Sequence, residues 1–296
     1  KVNIKEFAAN IGTYRQLSAE AINKGAELLI WPEAVVEKWT PEGVLSLEGS
    51  KFDPAPEINM PFIYGGMTYR LRSQQEVASL TKSEMTAEEK DRIRALYFNS
   101  AIFADNEKTI IGMYHKRILM PFGEYMPLAQ IFPILKKMSP QTGDFNFGDR
   151  NQPISLRIKT EGGEKIAKVG NLICYEDLVP RLSLEAQRNG ADLLVNLTND
   201  AWYGDSAAPL QHHLLAMWRA IENRRYLIRS TNTGYTGIVD PRGVTIAALS
   251  PFSSGYLVEP VALMKNRTIY SILGDWPVLL LSVGLLFFVV WARKKS

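Results

Sequence analysis

The sequence predicts a layered α/β domain with mixed sheets, followed by one transmembrane helix at the C-terminal end. Three observations predict it. Short, continuous apolar runs of the kind that form buried strands recur along the chain. Stretches with helical spacing alternate with them, and neighbouring runs sit close enough to pair as antiparallel hairpins. Near the end, Trp276–Ala292 reads WPVLLLSVGLLFFVVWA, 17 residues without a charge.

The elements follow in order. Val2-Asn3-Ile4 reads as a strand that runs straight into polar sequence, and the first residue is Lys1 rather than Met. The chain is therefore expected to be a fragment with a truncated first strand and its upstream portion absent. Residues Thr13–Lys24 carry helical spacing in Tyr14, Leu17 and Ala21, and Gly25 is a C-terminal stop. Leu28–Trp31 is a buried strand ended by Pro32. Strands are also expected at Phe62–Met67, Ser100–Ala104, Thr109–Tyr114, Ile166–Ile173, Leu193–Asn196, Tyr226–Arg229 and Gly237–Val239. Helices are expected at Leu182–Arg188 and His212–Arg224. Arg70–Arg94 is polar and reads as a surface excursion with a short helix. Pro121–Pro153, rich in Pro, Gly and aromatics, is too long for an idle loop and reads as a lid or binding loop.

Composition sets the limits. At 296 residues, with 46% hydrophobic and 22% charged, the chain can bury a full core, and disorder is excluded as its overall state. The balance of 34 Lys+Arg against 31 Asp+Glu gives +3, too weak to argue for nucleic acid. Arg293, Lys294 and Lys295 account for all of it. They directly follow the apolar stretch, which Trp276 and Trp291 bracket as interfacial aromatics. By the positive-inside rule the C-terminus is cytoplasmic and everything before Asp275 lies outside. The expected organisation is one folded domain over residues 1–268, a junction over 269–275, a transmembrane helix over 276–292 and a basic tail over 293–296. Cys174 is the single cysteine, so no internal disulfide framework exists.

Three strand ends each deliver one reactive side chain. Glu33 follows Leu28–Trp31 in WPEA, Lys116 follows Ile110–Tyr114 in YHKRILMPFGEYMP, and Cys174 follows Ile166–Ile173 in NLICYEDLVP. Taken singly, each has an ordinary structural use. Together they are a base, a cation and a nucleophile at the carboxyl ends of apolar strands, where α/β sheets present their sites. A thiol attacks an acyl carbonyl only as the thiolate, so a neighbouring base or cation is expected to lower its effective pKa. Glu33 suits the general acid–base role, and the Lys116 ammonium suits the oxyanion.

These strings carry a family resemblance. WPEA, HKRILMPFGEYMP, ICYEDL and NLTNDAWYGDSAAPLQHH resemble the nitrilase superfamily of carbon–nitrogen hydrolases. The longer strings PFGEYMP, RAIENRRYLIRSTNTGYTG and GDWP before the apolar helix resemble its apolipoprotein N-acyltransferase branch, over roughly residues 1–292. The resemblance implies a nitrilase-like α-β-β-α sandwich and a Glu33, Lys116 and Cys174 triad. It implies transfer of a fatty acyl group from a phospholipid, through a Cys174 thioester, to the N-terminal amine of a diacylglyceryl-modified lipoprotein. No cofactor is needed. It also implies a bacterial cytoplasmic membrane location with the catalytic domain on the periplasmic face, and a monomer. The transmembrane helices that precede this domain in the branch are not in the sequence. A membrane-tethered amidase or nitrilase using the same triad is the alternative, and a non-catalytic scaffold has no need of all three groups.

Further candidates surround the triad. Glu124 resembles the superfamily's additional glutamate, which orients the Lys and Glu pair. Tyr175 and Glu176 match positions that shape the site, although Glu176 could instead pair with Arg181. Asn199, Asp200 and Trp202 follow the next strand and are candidates to line the pocket, with turn formation as the alternative for Asn and Asp. His212 and His213 are adjacent and so point to different helix faces, which argues against a metal site. The sequons at Asn196 and Asn266 are read as chance matches. Val35, Val36, Trp39 and Leu45 after Glu33, and Met120, Phe122, Tyr125, Met126, Leu128, Ile131 and Phe132 around Glu124, are expected to pack in loops or to admit acyl chains.

Overall fold

The computed structural model describes residues 4–81, 85, 90, 93–128 and 143–295. Helix α1 (Ile4–Asn23) begins before the expected Thr13, because Ile4, Phe7, Ala8 and Ile11 extend the spacing of Tyr14, Leu17 and Ala21. The expected truncated first strand is corrected at Ile4, which opens α1; its other residues lie outside the described ones. Gly25 stops the helix with φ +89°, a left-handed conformation that glycine adopts without a Cβ penalty.

Five strands form the first sheet: β1 (Leu29–Ile30), β2 (Val36–Pro41), β3 (Phe62–Leu71), β4 (Ala95–Ala104) and β5 (Ile110–His115). Their order is β1-β3-β4-β5, with β2 also pairing with β3. β1 and β2 run parallel to β3, and β3, β4 and β5 are antiparallel. Helix α2 (Gln74–Leu80) is the short helix expected in the excursion, started by a capping box of Ser73 and Glu76. The second sheet contains β6 (Ile154–Thr160), β7 (Gly163–Ile173), β8 (Leu193–Thr198), β9 (Leu227–Thr231), β10 (Thr236–Val239) and β11 (Thr245–Leu249), which neighbour one another in chain order. β7, β8 and β9 are parallel, and helices α3 (Pro180–Arg188) and α4 (Ala208–Asn223) make the two crossovers.

The layers follow from what each apolar face buries. Ile63, Ala101, Phe103 and Tyr114 of the first sheet pack against Leu156, Val169, Ile173, Val195 and Leu197 of the second, so the sheets face each other. α1 covers the outer side of the first sheet through Tyr14 and Ala21, against Trp31, Phe62 and Tyr64. α3 and α4 cover the outer side of the second through Ala186, Ala216 and Ala220, against Leu194, Leu227 and Val239. The result is the expected α-β-β-α sandwich, with each fully buried Leu, Ile or Phe contributing about 1.5–3 kcal/mol. A cavity of about 630 Å³ is lined by Tyr14, Trp31, Ile228 and Tyr256, and by none of Glu33, Lys116 and Cys174.

Three strands, β2, β6 and β11, go beyond the sequence reading. β2 is an edge strand with a register shift and mostly exposed side chains, so it has no apolar run to announce it. β6 alternates Ile154, Leu156 and Ile158 with polar residues, and only Leu156 is fully buried. After a short helix α5 (Ile269–Leu273), helix α6 (Trp276–Arg293) is long and apolar enough to cross a membrane, and none of it is buried against the domain. Arg188 donates from Nε to the Ser271 carbonyl at 2.8 Å and from a terminal nitrogen to that of Ile272 at 3.0 Å, tying α5 to the helix layer.

Candidate active site

Glu33 sits in the turn after β1, pressed against β3. A Cβ at Gly65 would stand 2.5 Å from the Glu33 Cα, so only glycine permits this approach. The carboxylate is 6% exposed and tied at both oxygens. Oε1 accepts from Asn99 Nδ2 at 2.7 Å and lies 3.3 Å from Lys116 Nζ, and Oε2 accepts from the Asn199 N–H at 2.8 Å.

Lys116 follows β5 directly, and its N–H bonds the Asn99 carbonyl across the ladder at 2.8 Å. That register brings the Asn99 and Lys116 side chains together. Lys116 is 2% exposed, and its Nζ also lies 2.9 Å from Glu124 Oε2 and 5.6 Å from the centre of the Tyr175 ring. Burial opposes its charge, but Glu33, the Cys174 sulfur and Glu124 together hold its pKa above the ordinary lysine value. Glu124 is fixed in the turn after Met120, whose N–H donates to Oε2 at 2.8 Å. Asn99 also donates to Glu124 Oε1 at 2.8 Å, so one amide holds both carboxylates.

Cys174 directly follows β7 and opens the 3₁₀ turn Cys174–Leu178 with φ +55°, a left-handed conformation costing about 1–2 kcal/mol for a non-glycine residue. Local bonds hold it there. Asn196 Nδ2 donates to the Cys174 carbonyl at 2.8 Å, and Glu176 Oε2 accepts from the Ile173 N–H at 2.8 Å. Burial and the Glu33 carboxylate push the thiol up to about 12, although Lys116, the Thr198 hydroxyl and the Tyr175 N–H pull it down. The sequence reading expected the neighbours to lower it. Burial wins, so the sulfur rests as a thiol, and a base beside it would have to take the proton before it could act as a nucleophile.

The supporting candidates divide. Tyr175 donates from its hydroxyl to the Leu119 carbonyl at 2.7 Å, bracing the segment between Lys116 and Glu124. Glu176 is fully buried and makes no pair with Arg181. Besides Ile173, it accepts from the Arg117 and Ile118 N–H groups at 2.6 and 3.0 Å and from the Tyr114 hydroxyl at 2.9 Å. Burial raises its carboxyl to about 7 against these bonds. It clamps the Lys116 segment to the Cys174 turn. Glu176→Gln turns an amide NH₂ toward N–H donors and is expected to destabilise the fold by about 1–3 kcal/mol, seen as a lower urea midpoint. An unchanged midpoint would count against the clamp. Asn199 contributes its backbone N–H to Glu33, while Trp202 is 88% exposed.

Four contributors were not legible as site residues. Asn99 and Asn196 are polar residues inside the apolar runs LYFNSAIFA and LLVNLT, and that interruption is the signal that marks them. Thr198 lies beside Cys174 because Leu197 pairs with Ile173 in the β7–β8 register. Asp177, buried in the Cys174 turn against His212 and Arg229, had no signal before folding. Among the loop hydrophobics, Val35, Val36 and Met126 are buried, whereas Trp39, Leu45, Phe122 and Leu128 are exposed; Ile131 and Phe132 lie outside the described residues.

Residues 2–268 match the family model for carbon–nitrogen hydrolases. The chain belongs to the carbon–nitrogen hydrolase family. As a member of that family it is also similar to curated apolipoprotein N-acyltransferases. It is 34% identical to the one from Geobacter metallireducens over 90% of this chain and 46% of the relative. It is 31% identical to the one from Vibrio vulnificus over 95% of this chain and 51% of the relative. The chain thus spans about half the length of the curated relatives it matches. The crystal structure of a carbon–nitrogen hydrolase from Helicobacter pylori G27 shares the fold, with a TM-score of 0.54 and 16% identity over 83% of this chain and 81% of that one.

Proposed function

We propose that this carbon–nitrogen hydrolase family chain is an N-acyltransferase. It moves a fatty acyl group from a phospholipid, through a Cys174 thioester, to the N-terminal amine of a diacylglyceryl-cysteine lipoprotein. The observation that carries the reading is the meeting of Glu33, Lys116 and Cys174 at one buried point, in a chain that aligns with apolipoprotein N-acyltransferases over 90% of its length.

Each step follows from a residue. Glu33 takes the Cys174 proton as the sulfur attacks the ester carbonyl, which suits a thiol held near 12 by burial. Lys116 stabilises the oxyanion of the tetrahedral intermediate. The intermediate collapses, breaking the ester C–O bond, and the lysophospholipid alkoxide leaves with the proton from Glu33. The lipoprotein amine then attacks the thioester, Glu33 accepts its proton, and the thiolate leaves and is reprotonated. Glu124 and Asn99 keep Lys116 and Glu33 in register throughout. Asn199 anchors Glu33, and Tyr175 and Glu176 set the walls. Trp202, Trp39, Leu45, Phe122 and Leu128 offer exposed apolar surface for the acyl chains of donor and acceptor.

The same reading assigns residues 1–268 to the catalytic domain, 269–275 to a junction, 276–292 to the membrane span and 293–296 to the cytoplasmic side. The domain then works as a monomer on the periplasmic face of the bacterial cytoplasmic membrane, with its substrates in the adjoining bilayer. The test is mass spectrometry after incubation with phospholipid in detergent or bilayers. A fatty-acyl mass on the Cys174 peptide, discharged by a diacylglyceryl-cysteine peptide, is expected. Absence of that adduct together with turnover of small amides would replace the transferase with a tethered hydrolase.

A further inference from the structure

Beneath the triad lies a second set of buried ionisable groups that the proposed chemistry does not use. His212 on α4 faces a carboxylate at each ring nitrogen. Nε2 lies 2.7 Å from Asp177 Oδ1, and Nδ1 lies 2.9 Å from Asp200 Oδ1. With a carboxylate oxygen facing each nitrogen, the site favours a ring that donates from both, which only the imidazolium can do. Asp177 belongs to the 3₁₀ turn that Cys174 opens, and Asp200 directly follows Asn199, whose N–H holds Glu33. Asp200 Oδ1 also lies 3.4 Å from the Thr198 hydroxyl, whose oxygen stands between it and the Cys174 sulfur. One ring therefore joins the turn that aims the nucleophile to the loop that holds its base.

We propose that His212 is a positioning residue for acyl transfer, locking the Cys174 turn to the Glu33-binding loop through its two carboxylate partners. The proposal rests on the reading that Cys174 is acylated with Glu33 as its base. The joint is built tightly. Asp177, Asp200 and Arg229 are fully buried, and a Cβ at Gly234 would stand 2.0 Å from Asp200 Oδ2. The groups that face His212 are Asp177 from the turn, Asp200 from the loop after β8, Arg229 from β9 through Asp177 Oδ2 at 3.1 Å, and His213 and Arg219 on α4 itself. The Tyr203 ring stands nearly perpendicular to it, with ring centres 6.4 Å apart. Burial disfavours the ring's charge, but Asp177 and Asp200 outweigh it and raise the pKa from 6.5 to about 9. The stabilisation is thus fully present below pH 6.5 and is lost as the pH rises through about 9.

The test follows Cys174 acylation by mass spectrometry across pH, using the full chain with phospholipid in detergent, for the parent protein, His212→Gln and His212→Asn. Parental acylation should decline through about pH 9. The variants, whose amides carry no titrating charge, should acylate about 10–100-fold more slowly with KM little changed and without that break. Asp200→Asn, the fallback if both variants unfold, should move the break to lower pH by removing one anion. Parental rates with an unmoved break in these variants overturn the proposal. If the parent itself forms no acyl adduct, the transferase reading has failed instead. Alkylation of Cys174 by iodoacetamide then decides on His212: a changed rate in the variants supports the joint, and an unchanged rate overturns it.

Discussion

Cys174→Ser is expected to leave no measurable acyl transfer. The two side chains have nearly the same shape, and the hydroxyl can keep the contacts with Thr198 and the Tyr175 N–H, so the fold should survive. Acidity is the difference. Burial and the Glu33 carboxylate already push the thiol up to about 12, and in the proposed mechanism Glu33 removes that proton only as the sulfur attacks. A hydroxyl is a far weaker acid in the same place. A nucleophile acting as a unit with its base typically accounts for about 10⁶-fold in rate, which lies below the floor of a mass-spectrometric assay. Thermal denaturation near the parental midpoint with no acyl adduct is the predicted pair of results. Full activity in the serine variant would end the nucleophile assignment, and with it the proposed function.

Lys116→Met should lose both rate and stability. Its ammonium is buried between Glu33 at 3.3 Å and Glu124 at 2.9 Å, and removal leaves two carboxylates facing each other without a counter-charge. Removing one partner from a buried ion pair costs about 3–5 kcal/mol. In the proposed mechanism losing Lys116 also takes away the charge that meets the oxyanion, which costs about 10²–10³ in rate. The two effects can be separated. Adding Glu124→Gln removes one of the stranded anions and should restore much of the urea midpoint without restoring acylation. If the double variant recovered both together, Lys116 would be a structural cation and nothing more.

The parts of the fold and site that were legible have a common physical cause. Strands buried on both sides read as continuous apolar runs, so β1, β3, β4, β7 and β8 were visible, as were the reactive residues at their ends. Glu33 and Cys174 follow such runs, and Lys116 follows the half-buried β5, whose Ile110–Tyr114 also reads as a mainly apolar run. α6 was visible because nothing interrupts its apolar residues. The edge strands β2 and β11 carry half-exposed side chains and gave no comparable pattern. Asn99 was passed over because a strand's polar residue looks like a flaw until its partners are known. His212 and His213 were weighed only as metal ligands. In the fold one ring bridges two carboxylates, while the other stacks 4.9 Å from Tyr235 and is lowered to about 4 by burial.

The fold class, the proposed Glu33, Lys116 and Cys174 triad and the apolar C-terminal helix were legible in the chain alone, because periodicity and charge are local properties. Tertiary structure alone decided that the thiol is raised rather than lowered, that Glu176 clamps backbone and that Asn99 serves two carboxylates. Those outcomes depend on desolvation and on contacts between residues far apart in the chain, as between Cys174 and Glu33 or Asn99 and Glu33. No local pattern encodes either quantity.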